Sequence, residues 1–238
     1  SEEQFQKGLR VAVNSRSVMP VFAAAGPKMI GAHHVLEAVA NFAPAPEDRP
    51  AAQITPIDGG DPVELPTDAS GPFAAQVFKT YIDKFAGQIS VFRVFSGSVN
   101  LDANVWNSDT ETSERMAGLS APLGKSGEKV SELKAGDIGF ATKLKNTHTQ
   151  NTLVGDKSQA HRFSPIPFPK PVIAYAVHAE GKGDDEKISK ALLNLAAEDP
   201  SLSIEWDPRT HELMVAGLGM DHVRTAMDKI HQREWVKG

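Results

Sequence analysis

The segment that decides the fold runs from Phe168 to Val223: FPKPVIAYAV (168–177), DDEKISKALLNLAAEDPSL (184–202), and a strand-like pair that ends in GLGMDHV (217–223). Ile188, Ala191, Leu192, Leu195 and Ala196 recur at three- and four-residue steps, which places them on one face of a helix. Met220, Val223, Ala226, Met227 and Ile230 do the same for a second helix. Leu202, Ile204 and Trp206 alternate with polar residues, as a half-buried strand requires. The order strand, helix, strand, strand, helix is most of a split-βαβ, ferredoxin-like unit. That topology carries many unrelated activities and names none of them by itself.

Upstream the pattern changes. Short β-branched and aromatic runs (Ala75 to Tyr81, Ser90 to Val99, Asn104 to Asn107, Gly139 to Leu144) are separated by turn residues, which predicts a closed β-barrel over 72–168. Pro165, Pro167, Pro169 and Pro171 then make an extended, semi-rigid joint to the α+β unit at 169–238. Two distinct bodies with a modest mutual interface are expected. Residues 1–50 predict a helical start (Glu2 to Gly8), a short apolar strand (Val18 to Ala23) and a helix with an apolar stripe at Ala32, Val35, Leu36, Val39 and Phe42. Such a stripe needs a neighbour. Ala43 to Pro50, APAPEDRP, stops that helix, and 51–71, rich in Pro, Gly and Asp, predicts a poorly ordered linker.

The 238 residues carry 40% hydrophobic and 23% charged residues, ordinary values for a globular protein of one large or two small domains. No apolar run reaches the ~18 residues that span a bilayer, and SEEQFQKGLR lacks the order of a secretory signal. The absence of cysteine excludes disulfides, thiolate catalysis and Cys-ligated zinc, and the cytoplasm is the simplest compartment. A net charge of −5 argues against coating nucleic acid by bulk electrostatics while leaving room for local basic patches.

Most tempting motifs fail on spacing. GLSAPLGKS (118–126) puts five residues between its glycines where a phosphate loop needs four, and it lies in barrel territory without a following helix. His211-Glu212 lacks the second histidine of a zinc helix, position 215 being valine, and the adjacent His33 and His34 are expected to point apart on their helix. No metal site and no nucleophile arrangement is found. Asp184-Asp185 reads as a helix N-terminal cap.

LxxLAxEDPSL (192–202) followed by GxGxxH (217–222) resembles the third domain of translation elongation factor G. FAAQVFKTYIDKFAGQISVFRVFSG (73–97) resembles the opening of that family's second domain, and KAGDIG (134–139) its A-G-D-I turn. FPKPV (168–172) resembles the hinge between those domains, and Met19 to Pro50 resembles the end of the GTPase domain. The resemblance covers nearly the whole chain in order. It implies a multi-domain arrangement: a remnant of an α/β GTPase domain (1–50), a β-barrel (72–168) and an α+β ferredoxin-like domain (169–238) truncated before its last strand.

The implied parent binds the ribosome with GTP and couples hydrolysis to translocation in protein synthesis. This segment would contact the ribosome and relay conformational change, without catalysis of its own. GTP would be the parent's cofactor, with none bound here because the other nucleotide motifs are absent; Ala25-Gly26-Pro27 match the last guanine-contacting loop. The implied contacts with small-subunit ribosomal RNA fall on Lys79, Lys84, Arg93, Lys143 and Lys145, and a ribosomal protein would touch the third domain. His222 matches the histidine at the interdomain switch interface. Met220 and Asp221 replace the family's glutamate and leucine, and Thr149-Gln150-Asn151-Thr152-Leu153 replaces its T-G-D-T-L turn, which points to a divergent paralogue.

The other implied partners are the GTPase and distal domains of the same protein. The chain reads as an excerpt with Ser1 a vector remnant, so Val172 to His178 becomes a strand edge that self-associates or is covered by the tail around Trp235 and Val236. Two alternatives stand beside this reading. One is a stand-alone RNA-binding barrel with an RRM-like unit, for which Tyr175 and Trp206 are the candidate aromatics although no RNP-like string is present. The other is a related translational GTPase, a release or ribosomal-protection factor.

Overall fold

The computed structural model describes residues 1–124, 126–178 and 185–233. Two compact units divide between Pro50 and Ala51. In the first, α1 (Glu2–Asn14) begins at a capping box in which Ser1 and Gln4 bond reciprocally. It runs past the expected end at Gly8. A left-handed Gly31 (φ 71°) starts α2 (Ala32–Phe42). Arg10 ties α1 to the segment after α2 through a 2.7 Å pair with Asp48. The Ala45 N–H, more than Arg10, holds the Asp48 carboxyl below its ordinary value.

Residues 18–23 form no strand, contrary to the sequence expectation; the nearest pairing is a single bridge between Ala25 and Ile30. A strand needs a neighbour, and no described residue offers one there. The α2 stripe also stays open, with Leu36 68% exposed and Val39 59% exposed. The His33 and His34 rings do not point apart: their centroids lie 3.8 Å from each other.

The second unit begins with β1 (Ala52–Pro56), β2 (Val63–Leu65), β3 (Ala74–Asp83), β4 (Gly87–Ser96), β5 (Ser98–Asn100), β6 (Asn104–Asn107) and β7 (Thr112–Arg115). It continues with β8 (Ser120–Leu123), β9 (Ser126–Lys129), β10 (Glu132–Lys134), β11 (Ile138–Thr142), β12 (Thr152–Val154) and β13 (His161–Phe163). The antiparallel order β7-β6-β12-β3-β4-β11-β8-β9 wraps a core of Val77, Phe92, Val94, Met116, Leu119, Leu144 and Leu153. On β4 the inward residues Ser90, Phe92, Val94 and Ser96 alternate with half-buried Ile89, Val91, Arg93 and Phe95. Just after β7, the Met116 N–H reaches the Ala103 carbonyl at 2.9 Å, and Ala117 accepts from the Thr142 N–H at 3.1 Å. These bonds draw the sheet round its core.

Residues 51–71 are not an unstructured linker. β1 pairs with β2 and, across more than a hundred residues, with β13, Ile54 facing Phe163. The small sheet covers Ile54, Leu65, Ala74, Val154 and Phe163 on the flank of the barrel.

The R-V-F-S-G turn has a steric reason for its glycine. Gly97 sits at φ +69°, and a Cβ there would stand 2.5 Å from the Phe73 nitrogen and 2.6 Å from its Cα. The Gly97 N–H donates to Asp68 at 2.8 Å, and its carbonyl accepts from Ala135 at 2.9 Å. The A-G-D-I turn therefore docks directly on the S-G turn. The Asp137 carboxylate closes it by accepting the Lys134 N–H at 2.8 Å.

The third domain comprises β14 (Ile173–Val177), α3 (Asp185–Glu198), β15 (Ser203–Asp207), β16 (Glu212–Gly217) and α4 (Met220–Gln232). Its antiparallel order β14-β16-β15 is the 1-3-2 arrangement of a ferredoxin-like sheet. Ala191, Leu192 and Leu195 of α3 meet Val223, Ala226 and Ile230 of α4 over Val215. Tyr175 and Ile204 flank this fully buried Val215, so they lie on the helix-covered side of the sheet. Trp206, opposite Leu213, shares that side. By register the open face carries Ala174, Ala176, Met214, Ala216, Ser203 and Glu205, so its two inner strands lack the aromatics on which an RRM stacks bases, and only Trp206, 60% exposed at the β15 edge, borders it. Asp184 and the tail around Trp235 and Val236 lie outside the described residues, as does the side chain of Asp185.

Gly97→Ala is expected to lower barrel stability by about 2–4 kcal/mol, from the left-handed penalty and the displacement of a neighbouring backbone. Urea unfolding with amide exchange at Phe92 and Val94 measures it. A change below about 0.5 kcal/mol, the size of an ordinary surface substitution, would refute the account.

Candidate functional site

The stretch from Lys143 to Asn151 has no regular structure, yet side chains from three strands hold its backbone. Glu114, the inward residue of β7, is buried and accepts from the Lys145 N–H at 3.3 Å, the Asn146 N–H at 2.6 Å and the Thr147 hydroxyl at 3.2 Å. The Asn107 amide of β6 donates to the Asn146 carbonyl at 3.2 Å and to Asn151 Oδ1 at 3.1 Å. From β4, the Gln88 amide donates to the carbonyls of Leu144 and Thr147. Asn151 in turn accepts the His148 N–H at 2.7 Å.

The loop is thus fixed from beneath while Lys143 and Lys145 are exposed above it. Lys143 is left-handed (φ 65°), with its N–H on the Gln88 carbonyl at 3.2 Å. Two ammonium groups on a pinned backbone suit phosphate contact, which positions a partner without reading its sequence.

Lys84 sits at the tip of the β3–β4 hairpin, and Gln88, just past the turn, touches the loop. Asp83 Oδ1 closes that hairpin by accepting the Phe85 and Ala86 N–H groups at 2.8 and 2.7 Å. These two bonds, Ala86 foremost, hold its carboxyl below the usual range. Phe85 stands 94% exposed at the tip.

The remaining two cations are placed differently. Arg93 is half-buried on the outer face between Gln76 and Ile138, its guanidinium 5.2 Å over Phe95 and its Nε buried without a partner. Lys79 turns toward the third domain and donates to the Glu198 carbonyl at 2.6 Å. Its ammonium is committed inside the molecule, so Lys79 and Arg93 do not stand beside Lys143 and Lys145 as exposed cations.

His222 lies in the first turn of α4 and is largely covered. Its Nδ1 accepts the Leu218 N–H at 3.0 Å, which leaves the proton on Nε2, 3.1 Å from Asp199 Oδ2. Burial is the largest single influence on Asp199 and raises its pKa, but bonds from Ser201 and His222 together outweigh it and hold the carboxyl low. His222 therefore clamps the α3–β15 turn to the start of α4 inside its own domain. In the first unit, Ala25, Gly26 and Pro27 open a short 3-10 turn whose end, Met29, is left-handed (φ 54°).

Among the described residues of this stretch, Gly118 (φ 64°) lies close to the Thr142 hydroxyl, Ser120–Leu123 form β8 and Ser126 opens β9, where a phosphate loop would open a helix. Among the described residues there is no cluster of metal-ligating side chains, and no helix is long and apolar enough to cross a membrane.

Residues 72–156 match the family model described as elongation factor G domain 2, and residues 168–237 match that of elongation factor G, domain III. A crystal structure of a protein from Thermus thermophilus is 28% identical with a TM-score of 0.77. The alignment covers 98% of this chain and 33% of that one, so this chain spans about a third of its length.

Replacing Glu114 with alanine strands three donors and is expected to cost about 3 kcal/mol. Hydrogen exchange should show the Lys145 and Asn146 amides losing protection first; unchanged protection would refute the pinned loop. For Asp199 the sign follows from its lowered pKa. Its contribution to stability is complete above the ordinary value of 3.8 and fades as pH falls through the lowered one. In His222→Ala the Asp199 pKa should move up, so acid loss begins at a higher pH. A carbon-detected NMR titration of the Asp199 carboxyl reads this, and an identical midpoint in both proteins would contradict it.

Proposed function

Because this chain belongs to the elongation factor G family, we propose that its barrel and third domain dock on the small ribosomal subunit and relay a nucleotide-driven change to distal domains. The observation that carries the reading is the pinned basic loop. Lys143 and Lys145 project from a backbone fixed by Glu114, Asn107 and Gln88, on the domain that matches the family's second. A pre-organised pair of cations meets ribosomal RNA phosphates without ordering the loop on contact.

In the whole protein GTP would be the cofactor, with Ala25-Gly26-Pro27 beside the guanine, and hydrolysis would drive translocation in the cytoplasm. Lys84 extends the proposed RNA contact along the hairpin, and a ribosomal protein would meet the third domain. His222, held by Leu218 and Asp199, would present the start of α4 to the GTPase domain.

The test is co-sedimentation of the chain with purified small subunits across a salt series. Binding should weaken with salt, and Lys143→Ala with Lys145→Ala should reduce the slope by about one per lysine. Binding that ignores both lysines, or none at tens of micromolar protein, overturns the proposal.

A further inference from the structure

We propose that Glu198 is a latch residue that fastens the third domain to the barrel, and that releasing it loosens the coupling of the two. The functional meaning rests on the relay role above; the mechanics rest on the geometry alone.

Glu198 ends α3 and is only 5% exposed. One carboxylate oxygen accepts the Ile82 N–H of β3 at 2.6 Å, and both oxygens lie 2.8 Å from Arg233 Nη1 at the end of α4. Its backbone carbonyl, at the negative end of the α3 dipole, takes the Lys79 ammonium at 2.6 Å. A register shift between Val77 and Lys79 helps aim that side chain outward from β3.

One residue thus gathers a barrel amide, a barrel lysine and the far helix of the third domain. The barrel core and the third-domain core share no residue. Among the described residues, both hydrogen bonds that cross from the barrel strands to the third domain end on Glu198. The covalent joint, Ser164 to Val172, contains no helix or strand. An open groove of about 930 Å³, floored by Tyr81, Ile89, Val91 and Phe140, runs beside the latch, so solvent can replace its bonds when the domains part.

A contact of this kind is bistable. Closed, the carboxylate has Arg233 and the Ile82 amide; open, Ile82 and Lys79 hydrate while Arg233 keeps Glu198 inside the third domain. The second state leaves no buried charge unpaired, which keeps the two states close in free energy.

The chain has no cysteine, so spin labels on Glu128→Cys of the barrel and Arg209→Cys of the third domain report the joint without other changes. Double electron–electron resonance on the full chain should give a narrow distance distribution. Glu198→Ala keeps the backbone carbonyl that Lys79 bonds and should widen it in part, and Glu198→Ala with Lys79→Met, which removes both crossing bonds, should widen it about twofold or more, as expected for release of a docked domain. Lys79→Met, which removes one crossing bond and leaves the Glu198–Arg233 pair, should widen it less.

If circular dichroism shows the third domain of the alanine variant unfolded, Lys79→Met alone decides. An unchanged width in every folded variant overturns the latch. Loss of the distance response with ribosome binding intact removes the latch only; the reverse removes the docking proposal only.

Discussion

A carboxylate taken out of water must gather donors, and two glutamates in this chain do so where regular structure stops. Glu114 is 6% exposed and Glu198 5% exposed. Three half-buried backbone amides, Lys145, Asn146 and Ile82, find in these side chains the acceptor that a neighbouring strand would otherwise supply. Desolvating each carboxylate costs several kcal/mol, and charge-assisted bonds to amides and guanidinium offset that cost only when the geometry is complete. Each glutamate therefore specifies one arrangement: the first fixes a loop against its barrel, the second a domain against its neighbour.

The same economy explains how an acidic chain presents basic contact points. Asp68, Asp83, Asp156 and Asp199 each accept N–H groups of their own turns, and their pKa values are held low. Asp109 accepts the Thr152 N–H at 2.6 Å and pairs with Arg162. These charges persist, but they are compensated by oriented amides at the point where they sit. Among the described residues no carboxylate pairs with Lys143 or Lys145, and the neighbouring Glu114 is turned to backbone N–H groups and the Thr147 hydroxyl. Position, more than a net charge of −5, decides what a partner meets.

Much of the architecture was legible because periodicity is a local property. The stripes of α3 and α4 and the alternation of β15 follow from side-chain geometry and needed no partner to be named. The pieces that escaped are those defined by distant partners. β1 and β2 are short, flanked by Pro and Gly, and exist because Phe163 lies opposite Ile54. Val18 to Ala23 had strand composition but no described edge to join. Gly8 suggested a stop, although a glycine inside a helix costs only about 1 kcal/mol and α1 continues through it.

The candidate surface was legible to a similar degree and for the same reason. Lysines are visible as charges, but what commits Lys79 is the Glu198 carbonyl, 119 residues away in sequence. Glu114 left a fainter trace: in TSER its position falls on the inward side of a strand, where a carboxylate is costly unless it has a structural duty. Glu198 left less, since the last residue of an amphipathic helix is expected to meet solvent. A buried acid at the end of a helix is informative only once its donors are known, and here one of them belongs to the next domain.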